Sequence, residues 1–179
     1  MECAMDRLIL MRHGKAERHA AQGGDFERAL AERGRNDVAL IASALASEGL
    51  APDLALVSAA RRTRETWEAA AGAFPGATAQ VLRNLYHAEA QEVLAAVREA
   101  DAPAGTVMVV GHNPGLHDLS LRLAQGAQAE GGPADPAELS KLRGRFPTAT
   151  AVVFDIDASG APRLARVFYA SEHGGHGGE

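Results

Sequence analysis

Apolar and polar positions along the chain change period repeatedly, and the changes mark out alternating strands and helices. Residues 7–11 hold a short apolar run, Leu8-Ile9-Leu10, of the kind shown by a strand buried on both faces. Over residues 36–49, Val38, Ile41 and Leu45 recur at helical spacing and Gly49 stops the segment. The pattern then predicts a strand over 54–58, an Ala-rich helix over 62–73 carrying Trp67, a short strand over 80–82, and a helix over 90–100 with Val93, Leu94 and Val97 inward. Residues 106–111, Thr-Val-Met-Val-Val-Gly, are the clearest strand, β-branched, uncharged and bounded by Gly at both ends. A helix over 114–124 follows, carrying Leu116, Leu119 and Leu123, with Asn113 as expected N-cap and Pro114 as first helical residue. A Gly- and Ala-rich loop (125–135) and a short helix (136–142) precede strands over 148–155 and 163–169, which the turn at Asp157-Ala158-Ser159-Gly160 predicts to be an antiparallel hairpin.

This alternation predicts an α/β fold with a mostly parallel sheet. The 179 residues suffice for one domain, expected over 1–171, with a flexible Gly- and His-rich tail over 172–179. Aromatics are few, so the core is expected to rest on Leu, Val, Ala and Ile, with Trp67, Phe146, Phe154 and Phe168 as its bulky pieces. Ligands of such folds gather at the C-terminal ends of the strands. Three segments place polar residues there: Arg12-His13, Ser58 to Arg62, and His112-Asn113.

Charge and cysteine content narrow the picture. The net charge of −5 argues against a nucleic-acid partner, and any anion site must be a local cationic spot on an acidic body. The single cysteine, Cys3, cannot form an internal disulfide and is surrounded by no predicted element. Neither a signal peptide nor an apolar run of membrane-spanning length is evident, so the expected location is cytoplasmic, with no membrane partner. Oligomeric state is not legible. His173 and His176 read as part of a loose tail rather than a metal site.

The strand-end residues suggest phosphoryl chemistry. A neutral imidazole nitrogen attacks phosphorus well near neutral pH. Guanidinium groups grip phosphate in bidentate fashion, making Arg12 and Arg62 the candidates, with Arg61 and Arg64 of undefined direction. A second histidine held protonated by the phosphate adds a donor, and Gly14 and Gly111 allow close backbone approach. Taken singly, His13 or His112 reads as structural and Arg61-Arg62-Arg64 as a solvated helix face; their joint placement at successive strand ends favours a phosphate site. His19, His87 and His117 lack such support and read as surface or supporting residues. No metal is expected, because metal-ligand spacings are lacking and the arginines would repel a cation.

Several segments resemble the histidine phosphatase superfamily, the phosphoglycerate mutase-like group, and most closely its short phosphohistidine phosphatases of the SixA type. They are Leu10-Met11-Arg12-His13-Gly14-Lys15-Ala16-Glu17, Leu30-Ala31-Glu32-Arg33-Gly34, Val57-Ser58-Ala59-Ala60-Arg61-Arg62-Thr63-Arg64-Glu65-Thr66, Leu85-Tyr86, Val110-Gly111-His112-Asn113-Pro114-Gly115-Leu116 and Phe146-Pro147-Thr148. The resemblance implies a three-layer α/β/α sandwich, no cofactor or metal, His13 as phosphorylated nucleophile, and Arg12, Arg62 and His112 completing a phosphate pocket that Gly14 and Asn113 also line. The chain departs from the usual pattern at Ala59, where Pro is usual and a looser turn for Arg62 is expected, and at Glu65, where Gln is common.

The larger departure is an absent acid. Mutases and sugar phosphatases of this superfamily carry a Glu general acid between the second Arg and second His. Here that stretch reads Leu82-Arg83-Asn84-Leu85-Tyr86-His87. The acid phosphatase branch places Asp directly after its second His, where this chain has Asn113; Glu89 is the nearest carboxylate, in a helix-capping position. A phosphoramidate can release neutral imidazole and tolerates the loss better than an alkyl phosphate does. The expectation is therefore a metal-independent phosphohistidine phosphatase acting on a histidine-phosphorylated protein. A phosphomonoesterase for small phosphorylated substrates and a non-catalytic phosphate-binding module are the alternatives.

Overall fold

The computed structural model describes residues 5–100, 105–126 and 130–178. Cys3 and part of the 125–135 loop lie outside the described residues. Six strands form one sheet: β1 (Met5–Arg12), β2 (Leu54–Ser58), β3 (Thr78–Leu82), β4 (Gly105–Gly111), β5 (Ala151–Ile156) and β6 (Pro162–Phe168), in the order β3-β2-β4-β1-β5-β6. The pairs β1–β4, β2–β4 and β2–β3 are parallel; β1–β5 and β5–β6 are antiparallel, so β5 alone runs against the rest.

Two cores flank the sheet, and strand alternation assigns residues to them. Leu8 and Leu10 of β1 face one core with Val107, Val109, Val152 and Phe154; Ile9 and Met11 face the other with Met108, Val110, Ala151 and Val153. The second core is closed by α1 (Glu32–Ser47) and α2 (Arg61–Ala71), through Val38, Ile41, Leu45 and Ala70. The first is closed by α3 (Ala90–Glu99), α4 (Gly115–Gly126) and α5 (Pro136–Gly144), through Val93, Val97, Leu116, Leu119 and Leu142. The result is the expected three-layer α/β/α sandwich. Helices on both faces explain why β1 reads as a continuous apolar run.

Several local expectations are corrected. α1 starts at Glu32, before its apolar stripe does, with Ala31 as an N-cap that makes no side-chain bond. Its first turn contains Gly34, where a Cβ would collide with the Lys15 carbonyl oxygen; close backbone packing sets this start, and periodicity does not report it. α4 starts at Gly115 rather than at Pro114, the Asn113–Pro114 peptide is cis, and the Asn113 amide donates to Phe146 O (2.9 Å) instead of capping the helix. Trp67 is half-buried and stacks on Phe74, which takes the interior position at 2% exposure. The segment expected to be a loose tail turns back onto α1: His176 N and Gly177 N donate to the two carboxylate oxygens of Asp37 (2.9 and 3.0 Å), itself buried at 1% exposure.

Candidate active site

Register brings the two histidines together. Arg12 pairs with Gly111 at the ends of β1 and β4, and His13 N donates to Gly111 O (3.1 Å). The next residue on each strand, His13 and His112, therefore stands side by side with its fellow, ring centroids 5.4 Å apart. The end of β2 supplies the third component. Thr63 Oγ1 lies 2.7 Å from Ser58 O and 2.8 Å from Ala60 O, and Arg64 Nε donates to Ala59 O (3.0 Å). These bonds hold the turn at Ala59 and place Arg62 in the first turn of α2, at 3% exposure.

Arg12, His13, Arg62, His112, Asn113 and Thr148 line a cavity of about 250 Å³, below the ~300–1,000 Å³ usual for drug-sized ligands. His13 Nδ1 donates to Gly14 O (2.7 Å), which leaves Nε2 as the unprotonated nitrogen; Arg62 Nε donates to its lone pair (3.3 Å). Burial pushes the His13 pKa down to about 3, the Gly14 carbonyl opposes, and the charges of Arg62, Arg12 and Arg28 push it down further. Arg62 Nη2 donates to His112 Nδ1 (3.4 Å), so the His112 proton sits on Nε2 and is given to Ser58 Oγ (2.7 Å). Burial, then His13, Arg62 and His87, lower the His112 pKa to about 2 against the opposing pull of Asp25. Both rings are therefore neutral near neutral pH. Arg12 Nη1 donates to Phe146 O (3.0 Å), the carbonyl that also holds Asn113, so Phe146-Pro147-Thr148 aims two pocket residues at once.

Other expected residues lie differently. Gly14, expected to bind phosphate, turns its amide to Thr66 Oγ1 (3.1 Å), and its missing Cβ makes room for Gly34 O, 2.7 Å from where that atom would stand. Arg61 is turned to Glu65 (3.5 Å) and Arg64 to Ala59, leaving Arg62 as the site arginine of the three. Glu65 accepts from Leu30 N (3.1 Å) and Arg35 Nη2 (2.9 Å), a loop anchor. Glu89 forms a capping box with Glu92 at the start of α3. His117 Nε2 donates to Leu142 O (2.8 Å), and His19 is exposed. His87, expected to be a surface or supporting residue, is exposed and also lines the cavity: its backbone is left-handed (φ 55°) and its ring lies 5.7 Å from that of His112.

A group around Asp25 carries no sequence signature. The chain from His13 to α1 doubles back, with Glu17 N donating to Ala29 O and Ala31 N to Lys15 O (both 2.8 Å), and its short 3₁₀ turn Gly24–Glu27 is bonded through Asp25 to Arg62 of the cavity lining. Asp25 Oδ2 accepts from Tyr86 OH (2.6 Å), Arg62 Nη2 (3.1 Å) and His87 Nε2 (3.3 Å), and Oδ1 pairs with Arg28 Nε (3.2 Å). Arg62 Nη1 donates to Asp25 O (2.9 Å), so one residue fixes both ends of the guanidinium fork. Lys15, Arg18 and Arg28 add positive charge to the lining. No apolar period crosses residues 17–29, which is why the sequence offered no signal for this arm. Among the described residues no cluster of three or more His, Cys, Asp or Glu is placed to hold a metal, and no helix is long and apolar enough to cross a membrane.

A buried, neutral imidazole stands near Arg62, Arg12 and Arg28 at the strand ends of an α/β/α sandwich, the arrangement expected of a histidine phosphatase. Comparison with known proteins agrees. Residues 8–89 match the model of the histidine phosphatase superfamily (branch 1). A SixA protein of Agrobacterium tumefaciens, assigned as a phosphohistidine phosphatase, is 31% identical, with 92% of this chain and 97% of that one covered and a TM-score of 0.75. The structure of a protein histidine phosphatase SixA complexed with tungstate superposes with a TM-score of 0.72 at 24% identity, covering 93% and 98% of the two chains, and shows the shared fold. An uncharacterised chloroplastic protein of Arabidopsis thaliana is 31% identical over 128 residues, 66% of this chain; the chain spans 59% of that relative's length. The chain belongs to the histidine phosphatase superfamily, with a SixA-like, phosphoglycerate mutase-like fold.

Proposed function

We propose that residues 1–171 act as a single metal-independent phosphohistidine phosphatase domain whose substrate is a histidine-phosphorylated protein. One observation carries this: His13 Nδ1 is tied to Gly14 O, and Nε2 faces a cavity lined by Arg12, Arg62 and His112. In the reaction, the Nε2 lone pair forms a bond to phosphorus in line with the departing group, which keeps the electrons of the broken bond. Water then attacks phospho-His13, releasing inorganic phosphate and restoring the neutral ring. Negative charge on the phosphoryl oxygens is met by Arg12 and Arg62, whose guanidinium groups the fold already holds in place. A bound dianion also favours a second proton on His112, turning its Nδ1 into a donor.

The choice of a P–N substrate follows from the leaving group. The turn after β3 brings His87 to the cavity and packs Tyr86 against His112, ring centroids 5.6 Å apart, but offers no carboxylate of its own, while Glu89 is engaged in capping. A neutral imidazole leaves without a strong acid; an alkoxide does not. The SixA assignment of the Agrobacterium relative supports the same choice. A second reading, a phosphomonoesterase for small substrates, is favoured by His87, which stands where it could protonate an alkoxide. The test measures phosphate release from histidine-phosphorylated carrier and phosphotransfer proteins beside sugar, nucleotide and glycerate phosphates. The phosphoproteins should be turned over and His13→Ala should lose all turnover. Efficient cleavage of one small ester with none of the phosphoproteins favours the second reading, and full activity in His13→Ala removes both.

A further inference from the structure

Imidazole leaves phosphorus readily only as the neutral ring. A phosphohistidine whose second nitrogen is bare would expel imidazolate, so the distal nitrogen must carry a proton when the P–N bond breaks. The chain meets this need for its own intermediate, because His13 Nδ1–H donates to Gly14 O at 2.7 Å and stays protonated when Nε2 is phosphorylated. The substrate ring needs an equivalent acceptor. In-line displacement puts the entering and leaving nitrogens on opposite sides of phosphorus. His13 is buried at 7% exposure, so the leaving ring faces the mouth of the cavity.

We propose that the Asp25 carboxylate is that acceptor: it takes a hydrogen bond from the distal N–H of the phosphohistidine ring and holds the substrate in the form whose imidazole leaves neutral. This rests on the phosphohistidine reading above. Asp25 lies against the lining residues Arg62, Arg28 and His87 with its side chain 46% exposed, within hydrogen-bond distance of Tyr86 OH, Arg62 Nη2 and His87 Nε2. Tyr86 and His87 belong to the stretch in which the sequence has no carboxylate; the 3₁₀ turn at Gly24–Glu27 delivers one to the same place. Burial raises the Asp25 pKa, but the Tyr86 hydrogen bond and the charges of Arg62 and Arg28 outweigh it and hold the group at about 2. Asp25 is therefore an anion near neutral pH, able to accept a proton's hydrogen bond and unable to act as a general acid.

The step balances without a co-reactant. His13 Nε2 supplies the pair for the new P–N bond, and the pair of the broken bond returns to the substrate's proximal nitrogen. The distal proton stays where it was, and a cationic ring becomes a neutral imidazole. Asp25 also sets specificity, because an alkyl phosphate has no N–H to offer and its developing alkoxide would be repelled by the carboxylate.

The test compares kcat/KM of the full chain, Asp25→Asn and Asp25→Glu on phosphoimidazole and on p-nitrophenyl phosphate. Both substrates should slow in Asp25→Asn, because Arg62 loses an anchor. The loss on phosphoimidazole should be larger by about tenfold, the size expected for a charge-assisted hydrogen bond. Asp25→Glu should recover part of that preference, and the phosphoimidazole profile of Asp25→Asn should move to lower pH, where solvent protonates the ring. Equal losses on the two substrates overturn the inference and leave Asp25 as a positioning residue for Arg62. If the unaltered protein cleaves p-nitrophenyl phosphate and not phosphoimidazole, the phosphohistidine reading fails and the inference with it.

Discussion

Lowering the pH from 7 to 5 should remove about 4 kcal/mol of folding stability through His13 and His112 alone. Each ring ordinarily titrates at 6.5, and the fold lowers these values to about 3 and about 2. Below the ordinary value the unfolded chain takes up a proton on each imidazole that the folded chain refuses. The stability that these rings contribute is thus complete above that value and drains away as the pH falls toward the folded one. At pH 5 each unfolded ring lies about 1.5 units into its titration, worth about 2 kcal/mol per ring. Asp25, moved from 3.8 to about 2, responds only at lower pH, so the window isolates the histidines. For a chain of this size the loss should lower Tm by about 8–16 °C. The assay is thermal unfolding at pH 7, 6 and 5 in a buffer free of phosphate and sulfate. The double variant His13→Gln/His112→Gln should lose most of the dependence. An equal fall of Tm in that variant, or no fall in the unaltered protein, would refute the reasoning.

Four further outcomes are expected. Sulfate, a dianion throughout, should bind more tightly as pH falls from 8 to 6, with proton uptake seen by calorimetry in buffers of different ionisation enthalpy; pH-independent binding would contradict a neutral His112 that gains its proton with the anion. Gly34→Ala should destabilise by about 1–3 kcal/mol through collision with Lys15 and lower activity beside His13, whereas Gly72→Ala, with open space around its Cβ, should leave Tm nearly unchanged. Arg62→Lys should cut kcat/KM by about 100-fold or more, since one ammonium cannot reproduce the fork that meets Asp25, His13 and His112, while Arg61→Ala, removing an exposed arginine from its 3.5 Å pair with Glu65, should stay within about twofold. Asp37→Ala should free the segment bonded through His176 and Gly177, read as faster proteolysis near residues 173–178; an unchanged cleavage rate would show that the segment is held by other contacts.

Periodicity and turn chemistry by themselves determined the α/β class and its mostly parallel sheet, because β1, β2 and β4 are apolar runs between helical stripes, and strands so placed pair in parallel through helical crossovers. The same logic exposed Arg12-His13, Arg62 and His112 as neighbours. Parallel strands align their C-terminal ends, so residues just past three such ends converge whatever the intervening chain does. Tertiary structure decided what lies between and above those ends. Asp25, Arg28 and His87 come from segments with no period, placed by bonds such as Leu30 N to Glu65 and Ala31 N to Lys15. The amides of Gly14 and Asn113 turn to Thr66 and Phe146, partners distant in sequence that no local pattern could announce. Buried Asp37 captures a chain end whose composition suggested freedom. Local sequence encodes which face of an element is apolar. Which polar groups meet across loops depends on long-range closure, and here that closure brings a carboxylate to a site whose own turn has none.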